Sequence, residues 1–335
     1  MRLSDFDYEL PEALIAQRPP EARDGGRLML LRAGGALEHR TVPDLPDLVE
    51  PGTLMVVNDS RVLPARLWAR RPSGGRVELL LLEKLGQEGG RERWRCMLRA
   101  SKGPRGGEVL VLEGADVEVT VAAEPVGGRA EVLLGPGTAQ RHGSMPLPPY
   151  IRRADEAADR ERYQTVYCRE EGSVAAPTAG LHFTDALLEA LRARGVEIAR
   201  VTLHVGPGTF QPVRVEQVEA HRMEEERFEV PEETAAAIAR AKGEGRKVLA
   251  VGTTVVRTLE ATGGRAGAGR TELFIRPGHR FAVVDRLLTN FHLPRSTLLM
   301  LVSALAGRER VLAAYAEAVR LGYRFYSYGD AMLIE

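Results

Sequence analysis

The sequence predicts an α/β protein, in which a mixed α/β main domain carries an inserted small antiparallel β-barrel domain. Two observations support this fold class. In the second half of the chain, helical apolar stripes alternate with buried strands, as at residues 186–205 and 232–251. Between residues 76 and 134, five short alternating runs separated by glycine-rich turns follow one another without a helical stripe.

These patterns divide the chain into three segments. Residues 1–63 and 147–335 are predicted to form the main α/β domain, and residues 64–146 the insert, a small barrel or sandwich. The proline-rich stretch MPLPPY at residues 145–150 marks the return to the main domain. The length of 335 residues agrees with about two domains.

Composition argues against several classes of protein. The chain is 44% hydrophobic and 27% charged, unlike a disordered protein, and 46 basic residues balance 46 acidic ones. Cys96 and Cys168 show neither a CxxC nor a zinc-binding spacing. The first nine residues are polar and acidic rather than basic and then apolar, so no signal sequence is expected. The apolar stretch at residues 298–306 is shorter than the ~18 residues of a membrane span. We therefore expect a soluble, cytoplasmic protein with no membrane partner.

The first predicted ligand-facing position is the end of an early strand. An apolar strand at residues 54–57 runs into Asn58, Asp59, Ser60 and Arg61, a cluster of hydrogen-bond donors and acceptors. Ligands of α/β sheets bind beyond the carboxyl ends of strands, so this cluster is a candidate contact. A solvated turn is the alternative interpretation.

The stretch APTAGLHFT at residues 176–184 combines a turn former, hydroxyls, a glycine and a histidine directly ahead of a helix. A strand predicted at residues 196–205 follows that helix and leads into the glycine-rich loop GPGTF at residues 206–210. This order can bring His182 and His204 to the same end of a sheet, where backbone N–H groups are free to bind a ligand.

Further polar turns follow predicted strands in the last third of the chain. A strand at residues 247–251 enters the strand-to-helix turn GTT at residues 252–254, and another strand is predicted at residues 283–290. The glycine-rich segment 263–269 is predicted to be a flexible loop, and residues 323–330 to be strand-like. Neither a GxGxxG fingerprint nor a P-loop occurs.

We predict that these turns form one composite site. A lone histidine is more often structural than catalytic, but the joint pattern favours a site. Four histidines in polar turns also raise the alternative of a metal, yet no HxH or HExxH spacing accompanies them, so no metal site is predicted. The contributing segments are residues 58–61, 178–182, 204–210, 253–257, 290–292 and 326–330.

The insert contains basic residues near Trp94 that could follow a phosphate backbone. A solvated outer strand face is an equally good interpretation of the same residues. They are Arg91, Arg93, Arg95, Arg99, Lys102 and Arg105.

Eight long motifs occur in order along almost the whole chain: FDYELP (6–11), VNDSRVLPARL (57–67), PLPPYI (146–151), RYQTVY (162–167), APTAGLHFT (176–184), HVGPGTFQPV (204–213), LTNFHLPRSTL (288–298) and YGDAML (328–333). Together they resemble the S-adenosylmethionine:tRNA ribosyltransferase-isomerase family of queuosine biosynthesis. So many long motifs are highly specific, whereas the insert matches mainly in its placement.

The resemblance implies a reaction. The ribosyl part of S-adenosylmethionine moves to the aminomethyl group of 7-aminomethyl-7-deazaguanine, at the wobble position of a tRNA with a queuosine-family anticodon, and rearranges into an epoxycyclopentanediol. The products are epoxyqueuosine-tRNA, adenine and methionine. S-adenosylmethionine is a consumed cosubstrate, so neither a cofactor nor a metal is implied. The family fold is an α/β domain with an inserted β-barrel, and we expect a monomer.

Such a reaction needs a base for the carbon beside the sulfonium, an acid for the adenine nitrogen and a group that deprotonates the amine. Glu226, Phe183 and Phe210 are available to face the sulfonium cation. The predicted catalytic residues are His182, His204, His221 and Glu226. The predicted substrate contacts are Asn58, Asp59, Arg61, Thr178, Gly180, Phe183, Gly206, Gly208, Thr209, Phe210, Thr253, Thr254, Arg257, Asn290, His292, Tyr328 and Asp330.

His182 is the first candidate for the general base. We expect the N-terminus of the following helix to lower the pKa of its imidazole and to favour the neutral form.

The chain departs from the family pattern at three places. The family's HxMHxE reads HRMEEE at residues 221–226, so Glu224 replaces a histidine that cannot be obligatory here, while Glu226 keeps its place. GTTSxR reads GTTVVR at residues 252–257, which weakens any role for a hydroxyl at position 255. RDSSR reads RDGGR at residues 23–27, so the arginines are the expected tRNA or ligand contacts.

Two other classes of function remain open at this point. An S-adenosylmethionine-dependent RNA methyltransferase would use the same cosubstrate, but no GxGxxG-type strand-turn-helix lies near the N-terminus. A non-catalytic RNA-binding protein would not need polar turns on one side of a sheet.

Overall fold

The computed structural model of the chain describes residues 1–210 and 213–335, with side chains at all of these positions except 209 and 210. The strands are β1 (Arg27–Leu31), β2 (Leu37–Thr41), β3 (Leu54–Asn58), β4 (Ser60–Val62), β5 (Arg66–Arg70), β6 (Arg76–Glu88), β7 (Arg91–Ala100), β8 (Val109–Leu112), β9 (Glu118–Val121), β10 (Arg129–Leu134), β11 (Glu170–Ser173), β12 (Glu197–Leu203), β13 (Glu226–Val230), β14 (Val248–Val251), β15 (Gly267–Thr271), β16 (Arg286–Asn290) and β17 (Ala331–Ile334).

Helices flank these strands in the order expected of an α/β chain. The α-helices of the described part are α1 (Leu45–Leu48), α2 (Thr138–His142), α3 (Asp159–Arg162), α4 (Asp185–Ala193), α5 (Glu232–Gly243), α6 (Thr253–Thr262), α7 (Thr297–Ala306) and α8 (Arg308–Arg320). The 3₁₀ helices are Leu3–Phe6, Glu12–Leu14, Val42–Asp44, Thr178–His182, Pro207–Phe210 and Val218–Ala220.

The main domain is built on a nine-stranded mixed sheet with the order β15-β13-β12-β3-β14-β16-β17-β1-β2. Strands β12, β3, β14 and β16 run parallel to one another, whereas β17 runs antiparallel to β16. The four parallel strands therefore end at one edge of the sheet, which we call the carboxyl edge. Strands β17 and β1 begin at this same edge, because β1 is parallel to β17.

The centre of this sheet is buried on both faces. Successive side chains of a strand point to opposite faces. Leu54 and Val56 of β3 join an apolar cluster with residues of α5, α6, α7 and α8, whereas Met55 and Val57 join a second cluster with residues of α1 and α4. Burial on both faces explains why β3 is an uninterrupted apolar run rather than an alternating one.

The insert is a closed barrel of six strands in the order β10-β7-β6-β5-β8-β9, and every pairing within it is antiparallel. Val77, Leu79 and Leu81 of β6 point into its core, and the residues between them are less buried. The predicted fold class, a mixed α/β domain with an inserted barrel, is confirmed, and the sandwich alternative is excluded. The barrel strands lie between Arg66 and Leu134.

Two local predictions were wrong. Residues 323–330 do not form a strand, since β17 covers Ala331–Ile334 and Tyr326 adopts a left-handed φ of 70°. The glycine-rich segment 263–269 is not wholly a loop, because β15 starts at Gly267 and pairs with β13 at the sheet edge.

No helix in the described part of the chain is long and apolar enough to cross a membrane.

Candidate active site

The polar turns predicted from the sequence meet at the carboxyl edge of the main sheet. Asn58 and Asn290 are the last residues of β3 and β16, His204 directly follows β12, and Thr253 begins α6 just beyond β14. His182 ends a 3₁₀ helix that packs against the end of β16, where Asn290 Nδ2 lies 3.2 Å from His182 Nε2. His182 and His204 thus lie at the same edge.

One pocket at this edge is lined by aliphatic and aromatic side chains together with hydroxyls, one amide and one imidazole. We call it the neutral pocket, because none of its described lining residues is Asp, Glu, Lys or Arg. Five predicted substrate contacts line it: Thr178, Thr253, Thr254, Asn290 and His292. The other lining residues are Tyr150, Ala176, Pro177, Ala179, Val205, Gly252, Thr289, Phe291, Leu293, Ser296, Leu298, Tyr326 and Ser327.

His292 contributes no charge to the neutral pocket. Its Nε2 lies 2.9 Å from Thr289 Oγ1, its backbone N–H donates to Tyr315 Oη at 3.1 Å, and its carbonyl accepts a hydrogen bond from the Tyr8 hydroxyl. Burial lowers the pKa of His292 to about 3. The ring is therefore neutral at pH 7.

His182 is neutral as expected, but for a different reason. The side chain is only 3% exposed, and burial lowers its pKa to about 4, although Asp330 acts in the opposite direction. His182 is the last residue of the 3₁₀ helix Thr178–His182 and not the cap of α4, whose N-cap is Thr184. Burial therefore replaces the helix N-terminus as the cause of the lowered pKa.

A second pocket, the polar cleft, lies between the barrel and the main sheet. It meets the neutral pocket at Val205, which lines both. The predicted site residues His204, Gly206 and Glu226 line it. The remaining lining residues are Leu82, Glu83, Arg95, Arg129, Gly172, Val174, Pro207, Met223, Glu224, Glu225, Arg227, Arg270 and Glu272.

Glu226 is held in the wall of the polar cleft by a buried ion pair. Its carboxylate accepts a hydrogen bond from the Gly206 N–H at 2.9 Å and pairs with the Arg257 guanidinium. Both side chains are 4% exposed. Arg257 also donates from Nε to the Leu273 carbonyl at 3.1 Å and does not line the cleft. Arg257 thus contacts Glu226 rather than the space that a ligand would occupy.

His204 presents an imidazole nitrogen without a protein partner. Its Nδ1 is buried and has no hydrogen bond among the described residues. Burial and, to a smaller extent, the charge of Arg227 lower the pKa of His204 to about 4, against the opposing effect of Glu83. A Cβ at Gly172 would come within 3.0 Å of Nδ1, so the glycine leaves space beside the ring. A neutral imidazole of this kind can accept a proton.

Asn58 and Asp59 tie strands together instead of lining either pocket. Asn58 Nδ2 donates to the Leu203 carbonyl at 2.9 Å, and its Oδ1 accepts from the backbone N–H groups of Ser60 and Leu203 at 3.1 Å each. Asp59 accepts a hydrogen bond from Thr202 Oγ1 at 2.7 Å, and burial raises its pKa. In the structure these two side chains connect β3 with β12, and their contact with a ligand stays a prediction.

Four other predicted residues also lie outside both pockets. Phe183 is fully buried in edge contact with Tyr167, and a Cβ at Gly180 would lie 2.2 Å from the Tyr167 hydroxyl oxygen. Packing therefore explains both residues. Arg61 is exposed on β4, and His221 packs edge-on against a phenylalanine ring 5.3 Å away.

Tyr328 and Asp330 hold the turn before β17. The Tyr328 hydroxyl donates to Asp159 Oδ1 at 2.8 Å. Asp330 accepts hydrogen bonds from the backbone N–H groups of Arg27 and Arg324, at 2.9 and 2.8 Å. These bonds fix the turn that places Tyr326 and Ser327 in the neutral pocket.

The loop after β12 closes over residues 223–226. A Cβ at Gly208 would come within 2.8 Å of Glu224 Oε2, so a larger residue there would displace the Glu224 side chain. Glu224 pairs with Arg129 of the barrel at 2.7 Å, which gives the carboxylate a partner at the position where the family pattern has histidine. The contacts predicted for Thr209 and Phe210 fall on side chains outside the described part.

Tyr150 is a lining residue that the sequence analysis did not select. Its hydroxyl lies 2.6 Å from Ser327 Oγ, and its ring stacks on that of Tyr326 with 4.3 Å between centroids. A signal was available, because Tyr150 belongs to the PLPPYI motif at residues 146–151.

The histidines do not form a metal-binding group. Within the described residues, no three or more His, Cys, Asp or Glu side chains are arranged to hold an ion. His292 lines the neutral pocket and His204 lines the polar cleft, whereas His182 and His221 line neither. His182 contacts the neutral pocket only through Asn290.

Ligand pockets beyond the ends of parallel strands, beside titratable groups with shifted pKa values, are typical of an α/β enzyme that acts on a small molecule. Comparison with known proteins gives the particular class. The chain belongs to the queuosine biosynthesis protein family, whose model matches residues 3–334.

Similar proteins cover the whole chain. One from Anaeromyxobacter sp. (strain Fw109-5) is 59% identical over 100% of this chain and 99% of its own, and one from Pelobacter propionicus is 54% identical over 100% of both. Both are named S-adenosylmethionine:tRNA ribosyltransferase-isomerase. The crystal structure of S-adenosylmethionine tRNA ribosyltransferase from Thermotoga maritima is 38% identical, covers 99% of this chain and 100% of its own, and aligns with a TM-score of 0.57.

Proposed function

We propose that this protein transfers the ribosyl group of S-adenosylmethionine to 7-aminomethyl-7-deazaguanine in tRNA and isomerises it, releasing adenine and methionine. The observation that carries this proposal, together with the family, is the junction of the two pockets at Val205. An uncharged pocket suits a nucleobase, and an adjoining charged cleft suits an amine and an amino acid. A reaction that joins a nucleoside sulfonium to an amine requires both environments side by side.

We place proton transfer in the polar cleft. Of the four predicted catalytic residues, only His204 and Glu226 line it. His204 is neutral, and its Nδ1 has no hydrogen-bond partner among the described residues. This nitrogen can therefore remove a proton from the carbon beside the sulfonium. The Glu226 carboxylate can face the sulfonium or the protonated amine, whose positive charges it would stabilise.

We further propose that the reaction uses no cofactor or metal, and that S-adenosylmethionine is consumed as cosubstrate. The imidazoles of the site are arranged for hydrogen bonding, as in the pairs Asn290–His182 and Thr289–His292. Turnover that persists after chelation would support this proposal. Full loss of turnover that one divalent ion restores would refute it.

We infer that the protein acts as a cytoplasmic monomer on a tRNA with a queuosine-family anticodon. Four large hydrophobic side chains are exposed in the described part: Leu85, Val111, Val126 and Leu321. Stable interfaces are typically marked by large exposed apolar patches, so this small number supports a monomer. A molecular mass measured by light scattering at twice that of one chain would contradict the monomer.

Analysis of the tRNA product tests the proposed function. The protein is incubated with S-adenosylmethionine and tRNA that carries 7-aminomethyl-7-deazaguanine, and the digested nucleosides are identified by mass spectrometry. We expect epoxyqueuosine at the wobble position. A methylated nucleoside would indicate a methyltransferase, and unchanged tRNA would indicate a binding protein.

A further inference from the structure

One buried amide oxygen of the neutral pocket has no partner. Asn290 is 2% exposed and lines the pocket, and no described residue donates a hydrogen bond to its Oδ1. A buried acceptor without a donor has lost its hydrogen bonds to water without a replacement, which destabilises the folded protein. A ligand that donates to Oδ1 would remove this cost, so the unpaired oxygen indicates a bound donor.

His182 determines which way this amide points. Asn290 Nδ2 lies 3.2 Å from His182 Nε2 and donates to it, which requires the ring proton to be on Nδ1. The ring stays neutral at pH 7, because burial lowers the pKa of His182 to about 4. A neutral His182 with its proton on Nδ1 therefore holds Nδ2 on its own side and leaves Oδ1 for the pocket.

The rest of the pocket suits an uncharged, planar, aromatic ligand. The stacked rings of Tyr150 and Tyr326 form one wall, with aliphatic side chains such as Val205 and Leu298 around them. The buried Tyr326 hydroxyl also has no hydrogen-bond partner among the described residues. Since no Asp, Glu, Lys or Arg side chain lines this pocket in the described part, it offers no charged partner to an ammonium group or a carboxylate.

We propose that the neutral pocket binds the adenine ring of S-adenosylmethionine, and that Asn290 Oδ1 accepts a hydrogen bond from its 6-amino group. His182 is a positioning residue that holds the Asn290 amide, and it is not the general base. This inference rests on the proposed function, because it names the cosubstrate that the reaction consumes.

The acceptor base of the tRNA fits the neutral pocket less well. A 7-deazaguanine ring could also donate to Asn290, but its aminomethyl group is a cation, which needs a carboxylate nearby. Carboxylates line the polar cleft, where Glu226 is held by Arg257. The charges of the two pockets therefore assign adenine to the neutral pocket and the aminomethyl group to the polar cleft.

The test compares S-adenosylmethionine with S-inosylmethionine, in which an oxygen acceptor replaces the 6-amino donor. Two acceptors would then face each other, and a site built around a hydrogen bond rejects such an analogue strongly. We expect kcat/KM of the wild-type protein to favour the adenine form by at least about 100-fold. The Asn290→Leu variant should reduce this preference to about threefold or less, because both cosubstrates then meet the same apolar group.

Variants of His182 test its positioning role. His182→Ala frees the Asn290 amide to rotate and should reduce the preference for the adenine form. In His182→Gln, the side-chain carbonyl can accept a hydrogen bond from Asn290 Nδ2, so this variant should retain the preference. His142→Gln, an exposed change in α2, is the matched control and should leave the preference unchanged. A His182→Gln protein with the wild-type preference but at least about 100-fold lower kcat on both cosubstrates would show a general base and overturn the assignment.

Product inhibition of the wild-type enzyme gives a test that depends on no variant. Adenine should inhibit turnover at concentrations at least about tenfold lower than hypoxanthine, which carries oxygen at position 6. Equal inhibition, or equal use of the two cosubstrates, would overturn the adenine assignment while the proposed function stands. A wild-type protein that does not convert S-adenosylmethionine with precursor tRNA would instead refute the proposed function itself.

Discussion

The Glu226–Arg257 pair is the most buried charge interaction of the site, since both side chains are 4% exposed. Removing one member of a buried pair leaves an uncompensated charge, which typically costs about 3–5 kcal/mol. We predict that Arg257→Met lowers the free energy of unfolding by about this amount, as measured by urea denaturation. Turnover should fall as well, because Glu226 loses the contact that holds it in the cleft.

A surface pair provides the matched control for that substitution. Arg240 pairs with Glu197, and both side chains are more than one third exposed, at 51% and 35%. Exposed pairs contribute about 0–1 kcal/mol, so Arg240→Met should change stability little. Equal losses in Arg240→Met and Arg257→Met would contradict a special role for the buried pair.

The buried histidines predict how stability depends on pH. Burial lowers the pKa of His182 to about 4 and that of His292 to about 3, below the ordinary value of 6.5. Between these values the unfolded chain binds protons that the folded chain does not. The free energy of unfolding is therefore not reduced by these histidines above pH 6.5. Below pH 6.5 it falls with the pH, by about 1.4 kcal/mol per pH unit for each such histidine.

The His182→Gln variant measures one share of this effect. Between pH 6.5 and about 4.5, its free energy of unfolding should fall less steeply than that of the wild-type protein, by about 1.4 kcal/mol per pH unit. Parallel curves for the two proteins would show that His182 titrates normally in the folded state.

Individual site residues differed in how well the sequence predicted them. Thr253 and Asn290 could be predicted, because a polar residue directly after a buried strand lies at the carboxyl edge of the sheet. Asn58 occupies the same kind of position, yet the backbone of Leu203 satisfies its amide. Only the strand pairing reveals that contact. Tyr150 belongs to the PLPPYI motif, which marks it as a candidate, but only the tertiary structure shows that it reaches the neutral pocket.

At the scale of elements, the turn between β14 and α6 depends on Gly252. This residue has φ 92° and ψ 152°, a region that is essentially restricted to glycine. We predict that Gly252→Ala destabilises the protein by about 1–3 kcal/mol and raises KM for S-adenosylmethionine. The reason is that Thr253 and Thr254 line the neutral pocket directly after this turn.

Gly245 is the matched control, because it also has a positive φ but does not line the neutral pocket. Its φ is 70°, it follows α5, and a Cβ there would meet nothing within 4 Å. Gly245→Ala should cost about 1–2 kcal/mol of stability and leave KM unchanged. A Gly252→Ala protein with the wild-type KM would show that the turn does not position the threonines.

Strands inside the sheet could be predicted, whereas strands at its margins could not. β3 and β14 are fully buried apolar runs, which periodicity detects. β15 is a glycine-rich edge strand that exists because it pairs with β13. The aromatic run at residues 323–328 suggested a strand, but its apolar rings, such as Phe325, are placed by packing in the core.

At the scale of the whole molecule, the barrel and the main sheet are joined by ion pairs around the polar cleft. Glu83 of β6 contacts Arg270 at 2.7 Å and Arg227 at 3.6 Å, and Glu224 contacts Arg129. The segment boundaries predicted at residues 63/64 and 146/147 remain predictions. The fold class could be predicted because the hydrophobic periodicity changes along the chain, from helices alternating with strands to a series of short strands. Contacts across the cleft leave no such pattern in the sequence.

Ion pairing across the molecular surface determines which arginines are available to tRNA. Arg93 and Arg95 of the barrel are paired with Glu131 and Glu83, at 2.7 and 2.9 Å, which supports the solvated-face interpretation of this surface. Arg61 is exposed and has no ion pair among the described residues. We predict that tRNA binding weakens as salt rises, and that Arg61→Gln reduces the salt slope by about one while Arg93→Gln does not.

Filter binding at several salt concentrations measures these slopes. Affinity that stays constant as salt is raised would show that phosphate contacts do not contribute to binding.

In the proposed reaction the ribosyl group, and not the methyl group, is transferred from S-adenosylmethionine. The most direct measurement is the identity and amount of the small products formed with precursor tRNA. We expect adenine and methionine in equal amounts, each formed only when the tRNA carries 7-aminomethyl-7-deazaguanine. Release of S-adenosylhomocysteine in place of free adenine and methionine would contradict it.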